Sequence, residues 1–176
     1  MPEIVGFDHF TIICKDLDAS IEWYKDVMGA RVDRPKRAAT GSGSPAGLAP
    51  VGIRVGPIGM DLFQAEGDWQ PYPGTYAQHF AFNIRWEDAD AWFEHMRARG
   101  INLQIHPAGD EVVSLYLPDP TGYHLELNLR STDKAYVIEQ RERMLAKWGN
   151  LYRWQDGFGV PEGQPQAHWA SAVAAG

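Results

Sequence analysis

The sequence predicts an α+β fold made of two βαβββ modules related by pseudo-two-fold symmetry, followed by a C-terminal helix and tail. Three observations carry this. The chain repeats itself once, each copy opens on alternating apolar residues that give way to helical spacing, and a further amphipathic stretch follows the second copy. Residues 8–32, DHFTIICKDLDASIEWYKDVMGARV, match residues 78–103, QHFAFNIRWEDADAWFEHMRARGINL, with one residue inserted in the second copy.

Each copy starts with a His and a strand whose apolar side chains fall two apart, Phe10 and Ile12 in the first and Phe80, Phe82 and Ile84 in the second. An acidic turn supplies a helix cap, Asp16 or Asp18 and then Glu87 or Asp88. The helices that follow carry the apolar stripes Ile21, Tyr24, Met28 and Ala89, Trp92, Phe93, Met96, and they stop at Gly29 and Gly100. Three extended segments complete each copy, at 30–34, 50–56 and 59–65, then at 102–107, 111–117 and 122–129. GMDLFQ (59–64) and GYHLELN (122–128) close the two copies alike. A module of this size cannot bury a sheet face alone, so the two are expected to pack together. The expected division is 1–66, 76–130 and an extension 131–176, within one globular domain.

Two segments lie outside the repeat. Residues 35–49, rich in Gly, Ser, Pro and Ala, read as a mobile loop, either a lid or slack between strands. Gly41, Gly43 and Gly47 within it are not a phosphate loop, because no strand leads in and no helix or Lys-Ser pair follows. Residues 132–148 start at a Thr/Asp cap and carry Tyr136, Val137, Met144 and Leu145 among charges, which predicts a third amphipathic helix. Beyond it, Trp154, Phe158 and Trp169 are expected to cover the domain or a second copy, and with the helix they favour a homodimer.

Composition narrows the function. A net charge of -7 argues against nucleic acid as a partner. The single cysteine, Cys14, cannot form an internal disulfide, no basic-then-apolar leader precedes Phe7, and no apolar run is long enough to span a bilayer. The expectation is a cytoplasmic protein acting on a small molecule.

Alternation along the strands separates two lists of side chains. One is apolar: Phe10, Ile12, Phe80, Phe82, Leu103, Ile105, Leu115, Leu117, Leu125, Leu127 and Leu129. The other reads His9, Thr11, Asp61, His79, Asn83, Gln104, His106, Ser114, Tyr116, His124, Glu126 and Asn128. A plain solvated face would show Lys, Arg and Glu; this one gathers four of the chain's six histidines with two carboxylates. His9 and His79 are equivalent under the repeat, as are Asp61 and Glu126. Two imidazoles and one or two carboxylates on one face suit a divalent metal, Fe(II) or Mn, Ni or Zn. Ser114, His106 and Asp110 lack the nucleophile elbow of a hydrolase. Trp23, Trp69, Tyr72, Tyr76 and Trp86 are the aromatic side chains from which a metal-free drug-binding cleft would be built, or else they pack the core and rim.

Taken together, DHFTI, YAQHFAFNI and LYLPDPTGYHLEL resemble the vicinal oxygen chelate superfamily, which includes glyoxalase I, extradiol dioxygenases, methylmalonyl-CoA epimerase and the fosfomycin- and bleomycin-resistance proteins. The resemblance covers residues 4–130. It implies His9, His79 and Glu126 as metal ligands and sets Asp61 where glyoxalase I has a Glu ligand and the epimerase a Gln. The run from Leu115 to Glu126 resembles the extradiol signature, implying that Tyr116 hydrogen-bonds substrate and that His106 or His124 carries a proton; QAEGDW (64–69) has no counterpart to those enzymes' acid-base His. TYAQHFAFNI and the C-terminal helix are similar to the fosfomycin-resistance proteins, but VVSLYLPD (112–119) lacks their phosphonate-holding Arg or Lys. The expected activity is an Fe(II)-dependent, dioxygenase-like oxidation or ring cleavage of a small, oxygenated aromatic substrate chelated through vicinal oxygens. The alternatives are a Ni, Zn or Mn lyase or isomerase, and a resistance enzyme or drug-binding module.

Overall fold

The structure is a computed structural model that describes residues 6–38, 48–69, 79–106 and 109–149. It divides into two compact units, residues 1–71 and 72–176.

In the first unit, β1 (His9–Cys14) leads into α1 (Leu17–Met28), and β2 (Arg31–Arg34), β5 (Val51–Val55) and β6 (Ile58–Gln64) complete a four-stranded sheet in the order β1-β6-β5-β2. The last strand lies beside the first and parallel to it, with His9 opposite Gly59 and Thr11 opposite Asp61. The expected loop at 35–49 is partly ordered as a small ladder, β3 (Arg37–Ala38) against β4 (Leu48–Ala49); residues 39–47, including Gly41, Gly43 and Gly47, lie outside the described residues.

Helix α1 forms as its caps predict. The Asp16 carboxylate accepts from the Ala19 N–H at 2.9 Å, and Gln64 on β6 accepts from the Leu17 N–H at 3.0 Å, so two of the unpaired donors at the helix start are satisfied. Gly29 ends the helix in the left-handed conformation. Leu17, Ser20, Tyr24, Val27 and Met28 form its buried stripe against the apolar sheet residues Ile12, Ile53, Met60 and Leu62.

The second unit repeats the topology. Its strands β7 (His79–Asn83), β8 (Gln104–His106), β9 (Val112–Pro118) and β10 (His124–Arg130) stand in the order β7-β10-β9-β8, with α2 (Ala89–Arg97) between β7 and β8. Asp88 stands at the α2 N-cap without a side-chain hydrogen bond, contrary to the expected carboxylate cap; a short 3-10 turn over Trp86–Asp88 feeds the helix instead. The helix ends at Arg97, and Gly100 closes the turn after it with φ +67°. Ala89, Phe93 and Met96 are buried with Ile105, Leu115, Leu117, Leu125, Leu127 and Leu129, while Trp92 is only half-buried.

Between β9 and β10 the buried Asp119 carboxylate accepts three backbone N–H groups, from Thr121 at 2.9 Å and from Gly122 and Tyr123 at 2.8 Å. Helix α3 (Lys134–Trp148) starts where Asp133 accepts from the Tyr136 N–H. Its docking is specific: Asp90 of α2 accepts from Trp148 Nε1 and Arg143 Nη1 at 2.9 Å and pairs with Lys147 at 3.0 Å, and Trp148 stacks on Phe93. Residues 150–176, with Trp154, Phe158 and Trp169, lie outside the described residues. Among those described, no helix is long and apolar enough to cross a membrane.

Candidate metal centre

The strand registers bear out the division into faces. In the second sheet, His79 lies opposite His124, Ala81 opposite Glu126 and Asn83 opposite Asn128. Across the next pairings Glu126 faces Tyr116 and Asn128 faces Ser114, and at the edge Tyr116 faces Gln104 and Ser114 faces His106. Cross-strand partners share a face, so these side chains form one polar surface on a sheet whose other side is leucine-rich.

On that surface His79 Nε2 lies 2.7 Å from Glu126 Oε2, and the Glu126 side chain is only 7% exposed. A carboxylate buried to that degree needs a partner for its charge, and the imidazole supplies it. Two donors bound to one metal at about 2.1 Å and at right angles stand about 3 Å apart, so this pair has the donor types and close to the spacing of two adjacent coordination positions.

The first sheet brings His9 and Asp61 together. His9 Nδ1 is 2.7 Å from the Asp8 carboxylate, which directs Nε2 toward Asp61 Oδ2 at 3.7 Å. The Asp8 hydrogen bond, helped by the charge of Asp61, raises the His9 pKa above its ordinary value. An imidazole held through Nδ1 by a carboxylate has its orientation and tautomer fixed and presents Nε2 to a metal. The other oxygen of Asp61 accepts from Arg34 Nη2. A small cleft of about 80 Å³ surrounds Asp8, His9, Arg34 and Asp61. A larger one of about 690 Å³, between Arg97, Ile101, Lys147 and Trp148, borders α2 and α3 and includes none of the polar-face residues. Among the described residues, no three His, Cys, Asp or Glu side chains gather as a preformed metal cage.

Tyr116, His124 and His106 flank the His79–Glu126 pair. Tyr116 meets His79 and His106 edge-on, with ring centroids 6.1 and 5.8 Å away. Burial lowers the His106 pKa against the opposing charge of Glu126. Burial, with the neighbouring His79, pushes His124 down to about 4, which keeps it neutral at physiological pH. Ser114 donates to Asn128 at 2.9 Å and is buried, which ties it into the sheet and removes it as a nucleophile. Trp86 Nε1 donates to the Arg130 carbonyl and its ring meets Tyr136, so it fastens α3 rather than lining a cleft. Trp23 packs edge-on against Tyr24, and Tyr72 and Tyr76 lie outside the described residues. Sequence reasoning missed Arg34 and Asp8. Asp8 was detectable as the acid beside the first His, whereas nothing in the spacing of residues 30–34 distinguishes Arg34.

The family model of the Glyoxalase/Bleomycin resistance protein/Dioxygenase superfamily matches residues 6–127. The chain belongs to this superfamily. Within it, the chain is 24% identical over 128 residues to metallothiol transferase FosB of Staphylococcus epidermidis, covering 72% of this chain and 82% of that protein. A crystal structure of a variant of FosX, the fosfomycin resistance protein of Listeria monocytogenes, in complex with Mn(II) and 1S,2S-dihydroxypropylphosphonic acid, is 25% identical with a TM-score of 0.58 and covers 80% of this chain and 99% of that one. The solved structure of the oxidase ChaP-H2 is similar in fold, at 21% identity and a TM-score of 0.54, covering 75% of this chain and 99% of that one.

Proposed function

We propose that the protein is a metal-dependent enzyme that chelates a small substrate through vicinal oxygens, with His9, His79 and Glu126 as protein ligands. The observation that carries this is the close approach of His79 Nε2 to the buried Glu126 carboxylate. His9, oriented by Asp8, stands at the equivalent strand position of the first unit. When bound, a divalent metal supplies Lewis acidity to chelated oxygens, and Fe(II) adds reactivity toward dioxygen.

The chain's own groups favour a neutral, oxygenated, aromatic substrate. Residues 79–83, 104–106, 114–118 and 124–128 contain no Lys or Arg. A doubly charged phosphonate would find no side-chain counter-charge on these segments, and Arg34 beside His9 is already paired with Asp61, whereas a phenolic ring suits the aromatic surroundings of Tyr116. Tyr116 donates a hydrogen bond to a substrate oxygen, and half-buried His106, kept neutral by desolvation, accepts the substrate proton. This supports a dioxygenase-like oxidation with Fe(II). A fosfomycin-type reaction with Mn(II) is the second reading, favoured by the likeness to FosB and FosX. A homodimer belongs to both readings.

Metal analysis of the purified protein, followed by oxygen uptake on catechol, tests the choice. Iron with oxygen consumed is the expected result. Manganese- or nickel-dependent turnover with no oxygen consumed overturns the oxidative reading, and equal metal content in wild type and His79→Ala overturns the site.

A further inference from the structure

The two carboxylates that the repeat makes equivalent differ in what holds them. In the second sheet a row across four strands reads Gln104, Tyr116, Glu126, Ala81. The matching row in the first sheet reads Arg34, Gly52, Asp61, Thr11. Where the second row has a neutral amide and a bulky ring, the first has a guanidinium and no side chain at all.

Two local features deliver that guanidinium. The pairing of β2 with β5 shifts register between Val32 and Arg34, and this irregularity brings Arg34 into register with Gly52. Gly52 leaves the path to Asp61 clear: a Cβ there would lie 2.7 Å from Asp33 Oδ1, 3.0 Å from Arg34 Cβ and 3.3 Å from Arg34 Nη2. Arg34 therefore crosses a whole strand to hold Asp61 Oδ1. The consequence appears at His9. Asp61 Oδ2 stays 3.7 Å from His9 Nε2, beyond hydrogen-bond range, while the unpinned Glu126 closes to 2.7 Å on His79.

We infer that Arg34 is a positioning residue that pins Asp61 away from the metal, so that of the two equivalent carboxylates only Glu126 ligates and one more coordination position is left to substrate. The inference rests on the metal site proposed above. Asp61, itself largely buried, already accepts from the Arg34 guanidinium and surrenders that charge-assisted hydrogen bond if it turns to a metal. Without that guanidinium, Asp61 sits beside the ligating nitrogen of His9 with its charge uncompensated, and it becomes a ligand.

The test is Mn(II) titration of the full-length, metal-free protein by calorimetry, with the visible spectrum of the Co(II)-loaded protein reporting coordination. Asp61→Asn is expected to bind Mn(II) as wild type does. Arg34→Met is expected to bind about tenfold tighter, with an altered Co(II) spectrum, and Arg34→Met/Asp61→Asn to lose both changes. Arg34→Lys, which keeps the charge, should behave as wild type. An Asp61→Asn protein that loses about tenfold in Mn(II) affinity overturns the inference, because Asp61 would then already be a ligand. So does an Arg34→Met protein with unchanged affinity and spectrum. Should Arg34→Met fail to fold, the Asp61→Asn titration decides alone. His79→Ala, run in parallel, separates the two claims: if it retains wild-type affinity, the proposed metal site fails and not merely the pinning of Asp61.

Discussion

Replacing His79 by Gln separates the metal role of this residue from its structural role. The Glu126 carboxylate is nearly buried and His79 Nε2 is 2.7 Å from it. Truncation to Ala would leave that buried carboxylate unpaired, at a cost of about 1–3 kcal/mol before any metal is considered. Gln keeps a donor within reach of Glu126, so the metal-free protein should melt close to wild type, but its amide is a poor substitute for imidazole as a ligand to Fe(II), Mn(II) or Zn(II). For wild type, free metal at a hundred times its dissociation constant stabilises the native state by about 2.7 kcal/mol. In a chain of 176 residues each kcal/mol moves the melting temperature by roughly 2–4 °C, so the metal-induced shift should be about 5–10 °C. Differential scanning fluorimetry with and without metal measures both quantities. Wild type should show the shift, and His79→Gln should lose most of it while keeping its metal-free melting temperature. An undiminished shift in His79→Gln refutes the reasoning, because the 2.7 Å pair would then have nothing to do with metal.

Three further outcomes are expected. Hydrogen bonds from Trp148, Arg143 and Lys147 hold Asp90 down to about 2, and the side chain is one-third exposed, so after screening Asp90→Asn should cost about 1 kcal/mol in urea unfolding at pH 7. Because the folded-state pKa is depressed, that contribution is complete above about pH 5 and falls as pH drops toward 2, so the gap between variant and wild type should be about halved at pH 3. Gly59→Ala would set a Cβ 2.8 Å from the Asp8 carbonyl oxygen and 3.0 Å from His9 Cβ, and should lower stability by about 1–3 kcal/mol and weaken metal binding together, read by denaturant midpoint and Mn(II) titration. Tyr116→Phe should leave metal content unchanged and lower kcat/KM on a turned-over catechol by roughly 2- to 10-fold, the loss of one hydrogen bond.

The parts of the fold that follow from local pattern were legible. A strand with leucine at every second position fixes which residues oppose them, so the grouping of His79, His124, Glu126, Tyr116 and His106 came from counting alone and the registers agree. The Asp16 and Asp133 caps were legible for the same reason, since a cap needs only its own helix. The uncapped Asp88 was not legible, because a 3-10 turn can enter a helix without a side-chain cap and the spacing of the residues is the same either way. Arg34 was invisible because its place depends on a register irregularity two strands from its partner, and no periodicity encodes such a shift. Asp90 read as one more acidic residue near a helix start; its meaning comes from three side chains more than fifty positions further along the chain.

The three backbone N–H groups gathered by Asp119 have a consequence for how this sheet can be altered. They make the loop into β10 a counter. One residue added or removed between Asp119 and His124 would either break these hydrogen bonds or push β10 out of phase with β7 and β9, and out of phase Leu125 and Leu127 would face His79 while Glu126 lay among the leucines. The chemistry of this strand therefore has a reading frame with a period of two. A loop graft at this turn is free in sequence but not in parity, and one that breaks the frame should yield a chain with every proposed site residue present and no site.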